Sequence, residues 1–296
     1  MIPQQTIKNF QKEILDWYTQ NQRDLPWRNL PVDERGYRDP YAILVSEVML
    51  QQTQVVRVIP KYEAWLQKFP SVQILAKAKV ADVLTYWSGL GYNRRALNLK
   101  KTAEVVVEKY NGVFPSTEKE LLALSGIGTY TARALLCFAF NKQMPVVDTN
   151  VRKVIMTKLL PELSSMLSMN VFLKDEQSKD KNILDEKEIQ AIAEVLLPHE
   201  RAYEWNQALM DYSREVLKKE KIIIPKQSKF VGSRRYYRGQ IVKILIVRKK
   251  VNFMQLGKLL RKDYDATHAE WLGNLIEEMV KEKFIEYKNG FITLAS

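Results

Sequence analysis

The chain has 296 residues, with 46 Lys and Arg against 34 Asp and Glu, a formal net charge of +12. That excess favours polyanionic partners, the length allows one large or two ordinary domains, and no apolar run approaches the roughly 20 residues needed to span a bilayer. One cysteine, Cys137, excludes an intrachain disulfide and a cysteine-ligated metal cluster, and the lack of a signal-peptide core points to an intracellular protein.

In chain order, Met1 to Gln22 has an amphipathic helix pattern, with Ile7, Phe10, Ile14, Leu15 and Tyr18 at helical spacing. Further helices are expected over Tyr41 to Gln54, Lys61 to Lys68, Val80 to Trp87, Arg94 to Tyr110, Glu118 to Leu124, Thr129 to Phe140, Asn150 to Leu159, Glu186 to Leu197 and Trp205 to Lys218. Glu47 stands among apolar residues in the first of these, surroundings that raise a carboxyl pKa and suit a general acid, although an acid near a helix start often only caps it. The following Gln51-Gln52-Thr53-Gln54 could read bases or form a wet helix end.

Gly126-Ile127-Gly128 opens the Thr129 helix. Two glycines allow close backbone approach to a phosphate, and the helix N-terminus offers N–H groups to it; the same pattern is also a common turn. Val146-Val147 then leads to a lone acid, Asp148. Cys137 lies on the apolar side of its helix and reads as a small core residue. Pro161 to Asp185 is polar and charged around Val171-Phe172-Leu173, as expected of an insertion or surface loop.

A basic linker, Lys221 to Ser233, separates an expected domain over 1–228 from one over 233–296. The tail reads as helices over Tyr236 to Val247, Phe253 to Leu260 and Ala266 to Lys283. Asn289-Gly290 then sits between Phe284-Ile285-Glu286-Tyr287 and Phe291-Ile292-Thr293-Leu294, a strong hairpin signal. Three helices and a hairpin form a winged-helix-like α+β module. From Lys229 onward there are 14 basic and 7 acidic residues, consistent with a DNA-touching role, a solvated charged face or a protein-docking module. His199 and His268 are expected to face solvent, and no metal site is expected.

Arg23-Asp24-Leu25-Pro26-Trp27-Arg28, Ser46 to Gln54, Gly89-Leu90-Gly91-Tyr92, Gly126 to Ala132 and Val147-Asp148-Thr149-Asn150 follow the order and spacing of MutY-type adenine DNA glycosylases. The chain resembles that branch of the helix-hairpin-helix glycosylase superfamily over roughly residues 5 to 217. The resemblance implies an all-α, two-lobed core holding DNA and an extruded base between lobes, with Glu47 protonating adenine N7 and Asp148 stabilising the positive charge on the sugar. Chemically this needs one protonated and one ionised acid, hence environments that separate their pKa values. Tyr130 and Asn150 would support the two carboxylates. Trp27, Arg28 and Gln207 match positions lining the base pocket, with ordinary core packing the other reading of Trp27. Gln52, Thr53, Leu90 and Tyr92 match positions that enter or wedge the duplex, with core packing again the other reading of Leu90. Gly126, Gly128 and Thr129 match the phosphate-binding hairpin.

Tyr130 stands where related lyases carry a Schiff-base lysine, so a monofunctional glycosylase acting on mispaired or oxidised double-stranded DNA, as a monomer, is implied. In a bacterium it would be cytoplasmic and nucleoid-associated. The chain departs from the family pattern in three ways. The four cysteines of the usual [4Fe-4S] cluster are missing, so no iron–sulfur cofactor is expected, and Ile222, Ile223, Ile224 and Phe230 are expected to pack on the core instead. Family analogy still allows a monovalent cation on hairpin carbonyls. The usual NUDIX-like C-terminal domain is replaced by the winged-helix-like module, and Asn93 stands where an aromatic residue is usual. Removal of adenine opposite 8-oxoguanine or guanine is therefore weighed against removal of thymine or uracil opposite guanine, and against non-catalytic mismatch binding.

Overall fold

A computed structural model describes residues 2–161, 184–220 and 229–296. Most of the expected polar insertion, and the linker residues Ile222, Ile223 and Ile224, lie outside the described residues. The chain divides into two compact units, one of Met1–Ile43, Ser116–Leu122 and Ile127–Ile224, the other of Leu44–Pro115, Ala123–Gly126 and Pro225–Ser296. Among the described residues no helix is long and apolar enough to cross a membrane.

The first unit is helical. Helix α1 (Gln4–Asn21) buries Ile7, Phe10, Ile14, Leu15 and Tyr18, the stripe its spacing predicts. In chain order the elements that follow are α2 (Pro40–Leu50), which crosses into the second unit, then α3 (Val55–Lys68), α4 (Val72–Lys77), α5 (Val80–Trp87) and α6 (Arg94–Tyr110). The chain then returns to the first unit through α7 (Glu118–Leu122), α8 (Thr129–Phe138), α9 (Thr149–Val154), α10 (Glu186–Val195) and α11 (Ala202–Glu215). Helix α9 widens into a π turn over Ile155–Leu159. Helices α1, α9, α10 and α11 enclose one core, in which the Phe10 and Trp205 rings meet edge-on at 5.9 Å.

In the second unit, Trp65 lies edge-on to Phe69 at 4.9 Å and to Trp87 at 5.6 Å, joining α3 to α5. Helix α2 ends at Leu50, not at Gln54, because Gln52 takes a left-handed φ of 54°. Helix α3 begins at Val55, six residues before the expected Lys61. Pro60 looks like a boundary in the sequence, yet Val58, Tyr62 and Trp65 form one buried stripe across it. Helix α4 was not expected; Ser71 caps it, accepting from the Ile74 N–H at 3.4 Å, while Val72 and Leu75 are buried.

The tail contains α12 (Arg234–Arg248), β1 (Lys250–Asn252), α13 (Phe253–Leu260), a 3₁₀ turn (Ala266–His268), α14 (Ala269–Lys281), β2 (Ile285–Lys288) and β3 (Phe291–Leu294). The antiparallel sheet has the order β1-β3-β2, with Val251 and Tyr287 both opposite Ile292. Asn289 and Gly290 take φ of 51° and 77°, the left-handed pair that a two-residue hairpin turn demands. Strand β1 is a three-residue element without an alternating pattern to announce it. Phe230 is 57% exposed and packs edge-on to Tyr236 at 5.7 Å, not in a core as expected. The tail core extends into α5: Leu84 packs with Ile241, Leu245, Leu275 and Ile292.

Leu84→Ala should destabilise the second unit by about 2–5 kcal/mol, the usual cost of removing a fully buried leucine side chain. Urea unfolding would check this, with an unchanged midpoint as the contrary result.

Candidate functional site

In the first unit, Val146 is anchored as its N–H donates to Asn206 Oδ1 at 2.7 Å, and two residues on Asp148 caps α9. Asp148 Oδ1 accepts from the N–H groups of Asn150 and Val151, each at 2.8 Å, and Oδ2 accepts from Asn150 Nδ2 at 2.7 Å. Asn150 is oriented in turn, because its Oδ1 accepts from Ser213 Oγ on α11 at 3.3 Å. Burial pushes the Asp148 carboxyl above the usual value, while the bonds from Val151 and Asn150 pull the other way. The result is a fixed carboxylate that can be neutralised by protonation more easily than an exposed one. Tyr130 lies part-buried in the first turn of α8.

The hairpin turn before α8 is built by packing. Gly126 takes φ 77°, and a Cβ there would lie 2.6 Å from Asn98 Nδ2. Thr102 Oγ1 donates to the Ser125 carbonyl at 2.9 Å, holding the turn to α6. Gly128 precedes α8 and supplies no side-chain cap, and Thr129 is exposed beside it.

Trp27 and Gln207 are buried, at 4% and 6% exposure. Arg28 donates bidentately to Asp211, Nη1 to Oδ2 at 2.7 Å and Nη2 to Oδ1 at 2.9 Å. Arg23 joins them through its N–H to Oδ2 at 3.1 Å and its Nε to Oδ1 at 2.5 Å. Burial of Asp211 opposes its ionisation, but Arg28 and Arg23 overcome this and hold the carboxyl below its ordinary value. Gln207 lies one helical turn before Asp211 on α11 and Trp27 adjoins Arg28 in sequence, so this ion cluster ties together the two segments that carry the expected base-pocket residues. Asp211 was missed by sequence reasoning; its only local signal is an acid among the buried positions of an amphipathic helix.

The other predicted residues are in the second unit. Glu47 is 7% exposed on α2, whose neighbouring residues from Tyr41 to Met49 are also buried. Arg95 fastens the end of that helix. Its Nη1 donates to the carbonyls of Val48 at 2.7 Å, Met49 at 3.1 Å and Gln51 at 2.5 Å. Its Nη2 donates to Thr53 Oγ1 at 3.2 Å and to the carbonyls of Leu90 at 3.2 Å and Gly91 at 3.1 Å. Burial lowers the Arg95 guanidinium to about 10, which leaves it charged at neutral pH. Arg95 therefore brings Gln51–Thr53 and Leu90–Tyr92 together, although the sequence marks it only as a residue of a helix start.

Gln52 and Tyr92 both have left-handed backbones, φ 54° and 46°, and both are exposed. Leu90, in contrast, is only 4% exposed, its side chain packed inward. Trp87 Nε1 donates to the Gly91 carbonyl at 3.0 Å, closing the turn between them.

A four-cysteine iron–sulfur cluster does not fit this donor set. The sequence has one cysteine, and Cys137 is fully enclosed, its Sγ accepting from Asn206 Nδ2 at 3.4 Å. His199 is exposed, and His268 contacts Asp265.

Residues 45–160 match the HhH-GPD superfamily base excision DNA repair protein family. An adenine DNA glycosylase of Mycolicibacterium smegmatis is 48% identical over 143 residues, covering 48% of this chain and 47% of that protein. One of Buchnera aphidicola is 36% identical over 203 residues, covering 68% and 51%. The chain thus spans about half the length of the curated relatives it matches. The solved structure of a thermostable thymine-DNA glycosylase superposes with a TM-score of 0.59 at 30% identity, covering 71% of this chain and 87% of that one. A buried helix bearing Glu47, a hairpin leading into α8 and a capped Asp148 thus occur within a matched sequence and a matched fold: the chain belongs to the HhH-GPD superfamily of base excision DNA repair proteins.

Proposed function

We propose that the chain is a monofunctional DNA glycosylase that hydrolyses the N-glycosidic bond of adenine mispaired with 8-oxoguanine or guanine. The observation that carries this reading is Asp148, fixed at the head of α9 by two backbone N–H groups and by Asn150, in a chain that is 48% identical to an adenine DNA glycosylase over 143 residues. In this reading Glu47 delivers a proton to N7 of the extruded adenine, and the C1′–N9 electron pair leaves with the base. Asp148 meets the positive charge that develops on the sugar. Water then adds to C1′ and loses a proton. The phenol of Tyr130 cannot form the imine that a lyase needs, so the product is an abasic site. The enzyme would work as a nucleoid-associated monomer on mispaired double-stranded DNA and without an iron–sulfur cluster.

A second reading, removal of thymine or uracil opposite guanine, is favoured by the 87% coverage of a thymine-DNA glycosylase at 30% identity. Single-turnover assays decide between the two. Duplexes carrying adenine opposite 8-oxoguanine, adenine opposite guanine, thymine opposite guanine and uracil opposite guanine are incubated with enzyme, and abasic sites are then revealed with alkali. Cleavage should occur at adenine alone, and Glu47→Gln and Asp148→Asn should each slow it by about 10²–10⁴-fold or more, the range for loss of a positioned acid–base group. Cleavage at thymine or uracil would instead establish the second reading.

The pH profile tests Asp148 separately. The carboxylate must be ionised to oppose sugar charge, and burial has raised its pKa. The single-turnover rate should therefore fall on acidification through a limb displaced above the ordinary value of 3.8. A rate that holds down to that value would contradict the role.

A further inference from the structure

The tail pairs most of its carboxylates internally. Glu278 bonds to Arg234, Glu282 to Arg94 and Arg238, Asp263 to Arg261 and Glu286 to Lys288. Arg248, Lys249 and Lys250 are treated differently. They follow one another where α12 turns into β1, all three are exposed, and among the described residues none of them enters an ion pair. Three adjacent cations repel one another and attract a polyanion.

The backbone at this corner is strained. Lys249 ends α12, its N–H donating to the Leu245 carbonyl at 2.9 Å, with φ 63° and ψ −43°. A side chain is costly in that conformation, and beyond a helix end a positive φ is ordinarily taken by glycine. A cation suits the negative end of the helix dipole, but Arg248, in the last turn, already supplies one. A lysine kept at a strained position that the fold would give to glycine points to a role outside the fold.

Lys250 is aimed as well as exposed. The strand register puts Lys250, Asn252, Glu286, Lys288, Phe291 and Thr293 on one face of the sheet, opposite the buried Val251, Ile285 and Ile292. Lys250 Nζ lies 3.9 Å from the centroid of the Phe291 ring, which holds the ammonium over that face. Glu286, the carboxylate on the same face, is engaged by Lys288 at 2.6 Å and by Ser296 Oγ at 3.0 Å, so it does not neutralise Lys250. With the Phe291 ring given to a cation, the corner offers charge rather than a stacking platform. That chemistry suits the regularly spaced phosphates of a duplex.

We propose that the corner formed by Arg248, Lys249 and Lys250 binds the phosphate backbone of duplex DNA without regard to sequence. The proposal rests on the chain's membership of a DNA repair family and not on which base the protein removes.

The test measures binding of the full chain to a labelled, fully paired duplex over a series of salt concentrations. Lys249→Gly and Lys250→Gln should each make the slope of log K against log salt shallower by about 0.9, and weaken binding by about eightfold at about 0.1 M salt. The loss should be the same on duplexes of different sequence. Lys249→Gly should at the same time raise the thermal midpoint, because glycine relieves the strained backbone. A variant that is more stable and binds less well separates a role in binding from a role in folding. Lys262→Gln removes an equal charge from an exposed lysine beyond the far end of α13 and should leave the slope unchanged. Three results would each overturn the proposal: an unchanged slope in both corner variants, as expected if the corner meets an acidic protein surface instead, an equal change in Lys262→Gln, or a lower midpoint in Lys249→Gly. Excision by the unaltered protein on adenine mispairs, measured alongside, tests the glycosylase reading separately, and its failure would leave the binding result standing.

Discussion

A buried guanidinium sets much of the second unit. The last carbonyls of any helix lack intrahelical partners, and α2 meets this demand with the fork of Arg95, which reaches the carbonyls of Val48, Met49 and Gln51 and extends to those of Leu90 and Gly91. Only a planar group with several donors can serve two chain segments at once; a lysine ammonium has three donors on one atom and could not span them. The rings of Trp87 and Tyr92 flank the cation at 5.2 Å and 5.6 Å. The consequences run outward from this point. Helix α2 stops where it does, Gln52 turns into the left-handed region, and the Leu90–Tyr92 turn is fixed beside Thr53. Glu47 stands immediately before the first carbonyl that Arg95 holds, so the end of its helix has little freedom to unwind.

The first unit uses the opposite sign for the same purpose. Asp211 is completely enclosed and gathers Arg23 and Arg28 around it, while two residues further along α11 Ser213 reaches Asn150 and, through it, Asp148. One helix thus positions both the segment containing Trp27 and the carboxylate at the head of α9. Buried charges of this kind are costly unless fully paired. Here they hold polar groups in fixed directions, the condition under which an electrostatic site acts without reorganising.

How legible this was in the sequence depended on range. The α1 stripe, the Asn289-Gly290 hairpin and the buried setting of Glu47 are local patterns, and each was read directly. Asp148 as a helix-heading acid was also visible, because Val146-Val147 and the following helix bracket it. The pairing of Asp211 with Arg28 was not, since 183 residues separate them and neither neighbourhood announces the other. Arg95 was hidden for a different reason: at the start of a helix an arginine normally faces water, and nothing in its spacing shows that two chain segments need its donors. Pro60 concealed the true start of α3, and β1 is too short to show a period. The tail's helices and hairpin were visible, but the pairing of Glu278 with Arg234 and of Glu282 with Arg94 and Arg238 depends on packing that no linear pattern encodes.

Cys137 lies at zero exposure on α8, next to the Asn206 amide that also anchors Val146. Because it is the sole thiol of the chain, alkylation can label the protein at one position only, and only when α8 parts from its surroundings. The rate at which a thiol reagent reacts is therefore a clock for the opening that uncovers α8.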